Sequence, residues 1–399
     1  MELGDNNYQQ NLERDTMNCN NAIQDNHYNE MLESSLILPN NNQRLCSQLK
    51  NINAGKIESG KANILLLGGS ITAGYSPLDD INHPYPKLVQ VFMEEQFPKN
   101  QFDFLNLGYA GLHSLFGLAQ VEAHMKENFP TCYENTSIIF LEYAANNGFD
   151  MEYAKSFEGL VRKLLLASPN AAIIIICVRN KTGYTCEPYM AKIATYYNLP
   201  VISITNALSS GESHGFTWDD YSMDLVHPSP VGHKLIANCI ICLLKTSLLQ
   251  VAENRDHRMM KFPKSPLYSD EFTSAQYFHA DTILEVQRGD FIPAPTHPLF
   301  PRGLTFIKRD GLPLTLEIIC EKLYILYEQS ADIETSGKLS VQISNQQEAT
   351  VLDSYSIYAW GNPVMFKLMD GPRQSYSLQM KLLADKKDGS FQILGFLYV

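Results

Sequence analysis

The sequence predicts a layered α/β domain built on a parallel sheet, followed by a β-sandwich or jelly-roll domain. In the first 250 residues, short apolar runs alternate with helical segments of about ten to fifteen residues, which is typical of βαβ units. Beyond residue 266 the segments are short, β-type and bounded by turns. Between the two regions, residues 251–266 are charged and contain two prolines, which indicates a linker. A chain of 399 residues is long enough for two such domains.

The first predicted strand, over residues 64–67, is Ile-Leu-Leu-Leu, with the length and bulk of a buried parallel strand. Later strands follow the same pattern, and the run at 171–178 contains four consecutive isoleucines. The helical segments place apolar residues three and four positions apart. The predicted strands are 64–67, 102–107, 137–143, 171–178 and 200–204, and the predicted helices are 41–53, 88–97, 115–129, 157–167, 188–197 and 231–249.

In the second domain, apolar and polar residues alternate at period two, as in Leu-Thr-Leu-Glu-Ile at 314–318, which suits half-buried antiparallel strands. The N-terminal arm is rich in Asn, Gln, Asp and Glu, and it is either frayed or laid over the body by apolar residues such as Tyr28 and Met31. The predicted strands are 282–286, 303–308, 314–320, 322–327, 338–343, 363–368, 375–383 and 390–399. The predicted regions are a polar arm (1–40), the α/β domain (41–250), the linker (251–266) and the β-sandwich (267–399).

Composition excludes several classes of protein. The formal net charge of −12 argues against a nucleic-acid-binding surface. No apolar run approaches the ~20 residues that span a bilayer, and the N-terminus lacks the pattern of a secretory signal. The eight cysteines include a C-x-x-C at Cys239 and Cys242, but it lies inside an apolar helix and predicts a buried face rather than a zinc or redox site. We therefore expect a cytoplasmic protein with reduced cysteines.

Ser70 lies where an open α/β sheet is expected to bind ligands. The first strand ends at Gly68-Gly69, Ser70 follows at once, and a helix is predicted to begin close by. Ligands of such sheets bind beyond the carboxyl ends of the strands, and N–H groups at a helix start face any developing anion. Taken alone, the serine is equally well explained as a helix N-cap.

Three further motifs carry groups that a hydrolase needs. Gly108 follows the second strand in Asn-Leu-Gly, and Asn146 follows the third strand in Glu-Tyr-Ala-Ala-Asn-Asn. Asp224 precedes His227 by three residues, so a turn would bring the carboxylate beside the imidazole and leave Nε2 free to face a serine. Each has a plainer explanation: a turn glycine, a helix N-cap, and a solvated loop pair. Their occurrence together and in order favours a catalytic site.

This set of motifs resembles the SGNH (GDSL-type) hydrolases over about residues 43–249. In that family the nucleophilic serine, an oxyanion glycine, an oxyanion asparagine and an Asp-x-x-His pair lie on four successive blocks. Three positions depart from the common pattern: Gly69 replaces the Asp of Gly-Asp-Ser, and Ala144 and Asn147 replace the Gly and the final Asp of Gly-x-Asn-Asp.

The resemblance implies an SGNH (flavodoxin-like) three-layer fold and specific roles for the matching residues. Ser70, Asp224 and His227 would be catalytic, and the oxyanion hole would combine the N–H groups of Ser70 and Gly108 with the amide of Asn146. The proposed chemistry needs neither a metal ion nor a cofactor, because fixed dipoles meet the developing charge.

A narrower resemblance is to bacterial two-domain carbohydrate acetylesterases. It rests on Gly-Gly-Ser-Ile-Thr at 68–72, Phe-Leu-Glu-Tyr-Ala-Ala-Asn at 140–146, Tyr-Asn-Leu-Pro-Val-Ile-Ser at 197–203 and the C-terminal β-domain. It implies a serine esterase that removes O-acetyl groups from an acetylated oligosaccharide, with a β-domain like a carbohydrate-binding module. A lipid esterase or thioesterase on the same fold and a non-catalytic carbohydrate-binding protein stay open, as does the oligomeric state.

Overall fold

The computed structural model contains two compact units. The first comprises the described residues within Met1–Leu112, Asn135–Phe149 and Ser168–Lys264, and the second those within His113–Glu134, Asp150–Ala167 and Ser265–Val399. The chain passes from the first unit to the second within the predicted linker, but two earlier segments also belong to the second unit. The residues described are 26–57, 60–77, 83–126, 135–253, 262–295, 297–306, 311–383 and 389–399.

The first unit is built on a six-stranded sheet. Its order is β1-β6-β5-β4-β2-β3, and all neighbours are parallel except β1, which pairs antiparallel with β6. Strands β2, β4 and β5 are almost completely buried, as their continuous apolar sequences predict. The strands are β1 (Leu36–Ile37), β2 (Lys61–Gly68), β3 (Gln101–Asn106), β4 (Thr136–Glu142), β5 (Ala172–Cys177) and β6 (Val201–Ser203).

The helices among the described residues follow the predicted alternation with strands. The third is a single turn that begins at Ser70, and the fifth continues as a π-helical turn over Val121–Lys126. They are α1 (Asn26–Ser34), α2 (Gln43–Asn53), α3 (Ser70–Ala73), α4 (Tyr85–Gln96), α5 (Ser114–Gln120), α6 (Met151–Ala167), α7 (Glu187–Tyr197), α8 (Ile204–Glu212), α9 (Trp218–Tyr221), α10 (Pro230–Ala252) and α11 (Glu285–Arg288).

Helix α10 is the one described helix that is long and apolar enough to cross a membrane, with a mean hydropathy of 1.8 over its most apolar window. Its buried residues Leu235, Ile236, Cys239, Ile240 and Leu243 recur at helical spacing and belong to the core of the first unit. The helix packs against α2 and α4. This burial pattern is that of a core helix, and it includes the predicted burial of Cys239.

The second unit contains an eight-stranded antiparallel sheet, together with α5 and α6. The sheet order is β12-β11-β13-β10-β14-β9-β8, and β7 pairs with β14. Two long strands, β10 and β13, pair along most of their length, and register shifts interrupt the ladder near Cys320 and Leu323. The strands are β7 (Gln276–His279), β8 (Phe291–Ala294), β9 (Gly303–Phe306), β10 (Leu314–Gln329), β11 (Lys338–Ile343), β12 (Thr350–Asp353), β13 (Asn362–Leu383) and β14 (Gln392–Tyr398).

The predicted fold class is confirmed: a parallel α/β sheet precedes a curled antiparallel β-unit. The prediction of a strand at 282–286 is wrong, because that stretch lies across a 3₁₀ turn at Ala280–Thr282 and helix α11. The predicted pairs 314–320 with 322–327 and 363–368 with 375–383 are each one long strand. Residues 1–25 of the predicted arm lie outside the described residues, while α1 and β1 pack on the first unit through buried Met31 and the β1–β6 pairing.

Candidate active site

The turn that follows β2 brings Ser70 to the carboxyl edge of the sheet. Strand β2 ends at Gly68, Gly69 occupies the N-cap of α3 in extended conformation, and Ser70 is the first helical residue. A side chain on Gly68 would overlap Thr72 and the Glu142 carbonyl, and one on Gly69 would overlap the amide of Asn146. Close packing against the Glu142 backbone therefore requires glycine at position 68, while a side chain at position 69 would displace the Asn146 amide. Ser70 is 6% exposed.

A continuous hydrogen-bonded chain links Ser70, His227 and Asp224. The Ser70 Oγ lies 2.9 Å from His227 Nε2, and His227 Nδ1 lies 2.8 Å from Asp224 Oδ2. With Nδ1–H donating to the carboxylate, Nε2 is left to accept the serine proton. The structure thus brings together three predicted residues from two distant parts of the chain. Ser70 precedes Asp224 by 154 positions and His227 by 157.

The Asp224 carboxylate is held in one orientation by its own loop. Its Oδ1 accepts hydrogen bonds from the backbone N–H groups of Val226 and His227, each at 2.6 Å. Burial pushes the pKa of Asp224 upward, but these two N–H groups and the His227 ring outweigh that effect and leave the pKa below its ordinary value. The carboxylate therefore stays charged at neutral pH and can stabilise an imidazolium.

The loop that carries Asp224 and His227 is closed at both ends. Ser222 forms a β-bridge with Pro228, and the N–H of Ser229 donates to the Tyr221 carbonyl at 2.8 Å. The Trp218 indole N–H donates to the Asp224 carbonyl at 2.8 Å, a positioning contact that the sequence did not indicate. The β-bridge and the Ser229 hydrogen bond therefore hold the ends of the loop together before α10 begins.

Gly108 lies close to the serine turn, and its N–H is already engaged. A side chain at Gly108 would overlap the backbone of Thr72 and Ala73, so only glycine permits this approach. The Gly108 N–H donates to Asn106 Oδ1 at 2.9 Å, while Asn106 Nδ2 donates to the Thr72 carbonyl at 2.7 Å. In the described structure this N–H would have to share its hydrogen, or leave Asn106, to serve an oxyanion.

Asn146 and Asn147, which follow β4, differ in what their side chains do. The Asn146 amide lies against Gly69, is partly exposed, and makes no side-chain hydrogen bond to the described residues. Asn147 is buried and its Nδ2 donates to the Tyr189 hydroxyl at 2.9 Å. The geometry leaves Asn146 as the amide available to a ligand beside Ser70.

Beneath the serine turn lies a buried polar network that sequence reasoning missed. Thr72 Oγ1 donates to Glu142 Oε2 at 3.0 Å and lies 2.8 Å from the Tyr85 hydroxyl. Glu142 is fully buried, and this burial raises its pKa to about 8. The available signal was a glutamate at the end of the apolar strand Thr136–Glu142, where a charged residue needs a specific reason.

Tyr75 and His233 connect the network to the His227 imidazole. The Tyr75 ring meets the His227 ring edge-on, with 4.4 Å between centroids. His233 lies 3.0 Å from the Tyr75 carbonyl through Nε2 and accepts the Tyr85 N–H through Nδ1 at 3.3 Å. Burial lowers the pKa of His233, so this ring stays neutral and keeps both contacts.

The arrangement can perform nucleophilic attack by a hydroxyl on an electrophilic carbon. It contains the hydroxyl, a base oriented by a carboxylate, and polar N–H groups at the same strand edge. In the sheet, β2 lies between β3 and β4, so the chain order reverses around β2. Ser70, Gly108 and Asn146 follow these three strands, at the switch point where open α/β sheets bind ligands.

No family model and no curated protein matches this sequence. Two solved structures of a two-domain esterase (CEX) active on acetylated mannans do match, one of them co-crystallised with mannopentaose. The first has a TM-score of 0.75 at 20% identity and covers 89% of this chain and 94% of its own. The second has a TM-score of 0.74 at 20% identity, covering 90% and 95%.

The chain has the fold of a two-domain esterase. This agrees with the predicted resemblance and with the order of the two units along the chain. A further similar structure is an acetylxylan esterase (Axe2) from Geobacillus stearothermophilus, at 18% identity and a TM-score of 0.36, covering 46% of this chain and 95% of its own.

Proposed function

We propose that this protein is a serine esterase that removes O-acetyl groups from carbohydrate. The observation that carries the proposal is the chain of contacts from Asp224 through His227 to Ser70, at 2.8 and 2.9 Å, on the fold of a two-domain esterase. The substrate class comes from the solved structures of similar fold, which act on acetylated mannans.

In the proposed reaction, Ser70 Oγ attacks the acetyl carbonyl while His227 Nε2 takes its proton. Asp224 stabilises the resulting imidazolium, and His227 then delivers the proton to the departing sugar hydroxyl. The acyl-enzyme that remains is hydrolysed by a water that the same imidazole activates. The steps need no metal ion or organic cofactor.

The developing oxyanion would be held by backbone and amide donors. As the first residue of α3, Ser70 has an N–H without an intrahelical partner, and the Asn146 amide lies beside the same turn. The Gly108 N–H would join them by sharing its bond to Asn106. Loss of one such donor typically costs about 2.7–4 kcal/mol in the barrier.

Replacing the nucleophile tests the proposal directly. We expect Ser70→Ala to abolish acetate release from acetylated manno- and xylo-oligosaccharides while leaving the far-UV circular dichroism spectrum and Tm unchanged. The matched control is Ser213→Ala, the same change at an exposed turn after α8, which should retain parental turnover. A folded Ser70→Ala protein that still turns over substrate at the parental rate would rule out this mechanism.

One observation favours a second candidate, an esterase for longer acyl chains. Met223 and Leu225, on either side of Asp224, are 63% and 61% exposed, and Tyr75 beside His227 is 52% exposed. Such side chains could contact an acyl tail as well as a sugar ring. Comparing p-nitrophenyl acetate with butyrate, octanoate and palmitate decides between them: preference for acetate supports the acetylesterase, and preference for long chains supports the lipid esterase.

A non-catalytic carbohydrate-binding protein would hydrolyse none of these esters.

We further propose a cytoplasmic location, without nucleic-acid or membrane partners. Six cysteines among the described residues are free thiols, and the net charge is −12. Thiol titration of the protein in a cell lysate, with all thiols trapped at lysis, would test the reducing compartment.

A further inference from the structure

Helix α1 and the turn after α8 bring two histidines and a glutamate together on the surface of the first unit. His27 Nδ1 lies 3.7 Å from Glu30 Oε2, and His214 Nε2 lies 3.2 Å from the same oxygen. All three donor atoms lie within 4.8 Å of one another, and all three residues are exposed. None of the three belongs to the candidate active site.

The backbone positions that create this cluster are set by close helix packing. Helices α1 and α8 pack directly on one another, and a side chain on Gly211 would overlap the buried Met31. The Ser34 hydroxyl lies 3.3 Å from the Asn206 carbonyl. His27 and Glu30 are one helical turn apart on α1, so both reach the same side. The third member, His214, lies in the turn after α8, and its own backbone N–H donates to the Gly211 carbonyl at 2.9 Å.

We propose that His27, Glu30 and His214 form a binding site for a divalent transition metal of the zinc class. Two imidazole nitrogens and one carboxylate oxygen make a donor set that Zn²⁺ accepts, with water in the fourth position. The separations of 3.2 and 3.7 Å suit ligands that each lie about 2.0–2.2 Å from one ion. The single negative charge of Glu30 offsets part of the charge of the metal.

The two imidazole rings must turn to share an ion. They are stacked, with 3.9 Å between centroids and 22° between planes, so their lone pairs run nearly parallel rather than toward one point. Both side chains are exposed, and rotation about their side-chain bonds can redirect the nitrogens without moving either helix. A bound ion would then fasten α1 to the turn after α8 and stabilise the N-terminal part of the first unit.

Titration of the metal-free full-length protein with Zn²⁺ tests the site. Isothermal calorimetry should show one ion bound per chain at this site, together with a rise in Tm. Ser70 and His227 also present metal-binding atoms, so the titration is repeated in His227→Ala, where the same ion should still bind. This readout is independent of esterase activity, so it can succeed or fail separately from the proposed function.

Ligand variants identify the donors. Glu30→Gln and His214→Ala should each weaken Zn²⁺ binding by more than about tenfold, since loss of a residue that only supports a ligand already costs about that much, and should remove the Tm shift. His83→Ala, which deletes an exposed histidine outside the cluster, is the matched control and should bind as the parent does. Equal binding by His214→Ala and the parent would overturn the proposal, as would no Zn²⁺ binding by the parent.

Discussion

Glu142 is an acidic side chain fully buried at the end of β4, below the turn that carries Ser70. The Thr72 hydroxyl donates to its Oε2, and its Oε1 has no hydrogen-bond partner among the described residues. The Gly69 and Thr72 N–H groups lower the pKa of Glu142, but burial outweighs them. Burial raises its pKa to about 8, and the charge of its ionised form would raise the already elevated pKa values of Tyr85, Tyr143 and Tyr221. Glu142 is therefore mostly protonated at neutral pH and serves as a neutral hydrogen-bonding group.

The raised pKa of Glu142 predicts how the free energy of unfolding changes with pH. The carboxyl binds its proton more tightly in the folded protein than in the unfolded chain, whose ordinary pKa is 4.5. Its favourable contribution is therefore complete below pH 4.5 and is lost as pH rises toward about 8, with a slope of at most about 1.4 kcal/mol per pH unit. We expect Glu142→Gln to flatten this part of the profile, measured by urea unfolding from pH 4.5 to 8.

The exposed Glu94→Gln is the matched control, because the same chemical change on the surface of α4 should leave the slope as it is. If Glu142→Gln and the parent lose stability in parallel between pH 4.5 and 8, the buried carboxyl does not titrate as described.

The two asparagines after β4 give a second prediction at this scale. We expect Asn146→Ala to lower kcat by about 10²–10³ with little change in Tm, because in the proposed reaction its amide stabilises only the transition state. Asn147→Ala should instead lower Tm, because its buried amide loses the bond to Tyr189. Steady-state kinetics and thermal unfolding of the pair would measure both effects. The assignment of the donor to Asn146 fails if the kinetic loss follows Asn147 alone.

Residues with local motifs were predictable, and residues defined by packing were not. Ser70 and the Asp224–His227 pair stand in short patterns whose chemistry depends on spacing along the chain. Tyr75 and Trp218 contact the site through folds of the chain that no local pattern reports: one ring meets His227, and the other holds the Asp224 carbonyl. The hydrogen bond from the Gly108 N–H to Asn106 likewise appears only in three dimensions.

At the scale of elements, the start of α10 determines where the loop that carries Asp224 and His227 ends. Ser229 is the N-cap of α10: its Oγ accepts the Gly232 N–H at 3.2 Å and donates to the Asp220 carbonyl at 2.9 Å. The same residue therefore satisfies a free N–H of the helix and ties the loop back to α9. His227 lies two residues before this anchor, so the helix cap also supports the position of the imidazole.

We expect Ser229→Ala to destabilise the protein by about 1 kcal/mol, the usual cost of losing an N-cap. Urea unfolding measures the loss, and kcat should fall as well because the His227 loop is less constrained. Ser203→Ala removes the comparable cap of α8, whose Oγ accepts the Asn206 N–H at 3.1 Å. It should cost at least as much stability, because the Ser203 Oγ also donates to Glu187 Oε2 at 2.7 Å, but without the kinetic effect. Equal kinetic effects in both variants would refute a special role for Ser229.

The predicted elements agree with the structure where apolar periodicity is strong, as in the buried strands β2, β4 and β5. The single strand β10 was predicted as two strands because the polar pair after Cys320 resembles a turn. The ladder instead passes these residues with a register shift, which keeps the strand continuous. Helix α1 was not predicted, because its polar sequence is stabilised by tertiary packing of Met31 rather than by its own pattern.

At the scale of the whole molecule, the order of folds along the chain was predictable but the grouping of segments was not. A change from apolar runs to period-two segments near residue 251 shows that the architecture changes there. Helices α5 and α6 have the sequences of ordinary crossover helices, and nothing local shows that they group with Ser265–Val399. That grouping depends on contacts between residues about a hundred positions apart.

The contacts of α6 inside the second unit predict the outcome of cutting the chain after Lys264. The buried Glu158 carboxylate accepts the backbone N–H groups of Leu267, Tyr268 and Ser269 at 2.5–3.0 Å. Gly159 leaves room for Phe272, since a side chain at this position would overlap it. A chain ending at Lys264 would keep the whole candidate active site in sequence but would expose this face of α6 and leave its carboxylate without these three donors.

We therefore expect residues 1–264 alone to aggregate or to unfold without cooperativity, although they contain Ser70, Asp224 and His227. Size-exclusion chromatography and thermal unfolding measure this, and co-expression of 265–399 as a separate chain should restore solubility. Glu158→Gln in the full chain, which weakens the same contacts without removing them, should lower Tm but leave thermal unfolding cooperative. A monomeric 1–264 fragment that unfolds cooperatively and releases acetate would show that the contiguous boundary predicted from sequence, rather than the grouping by contacts, defines the folding unit.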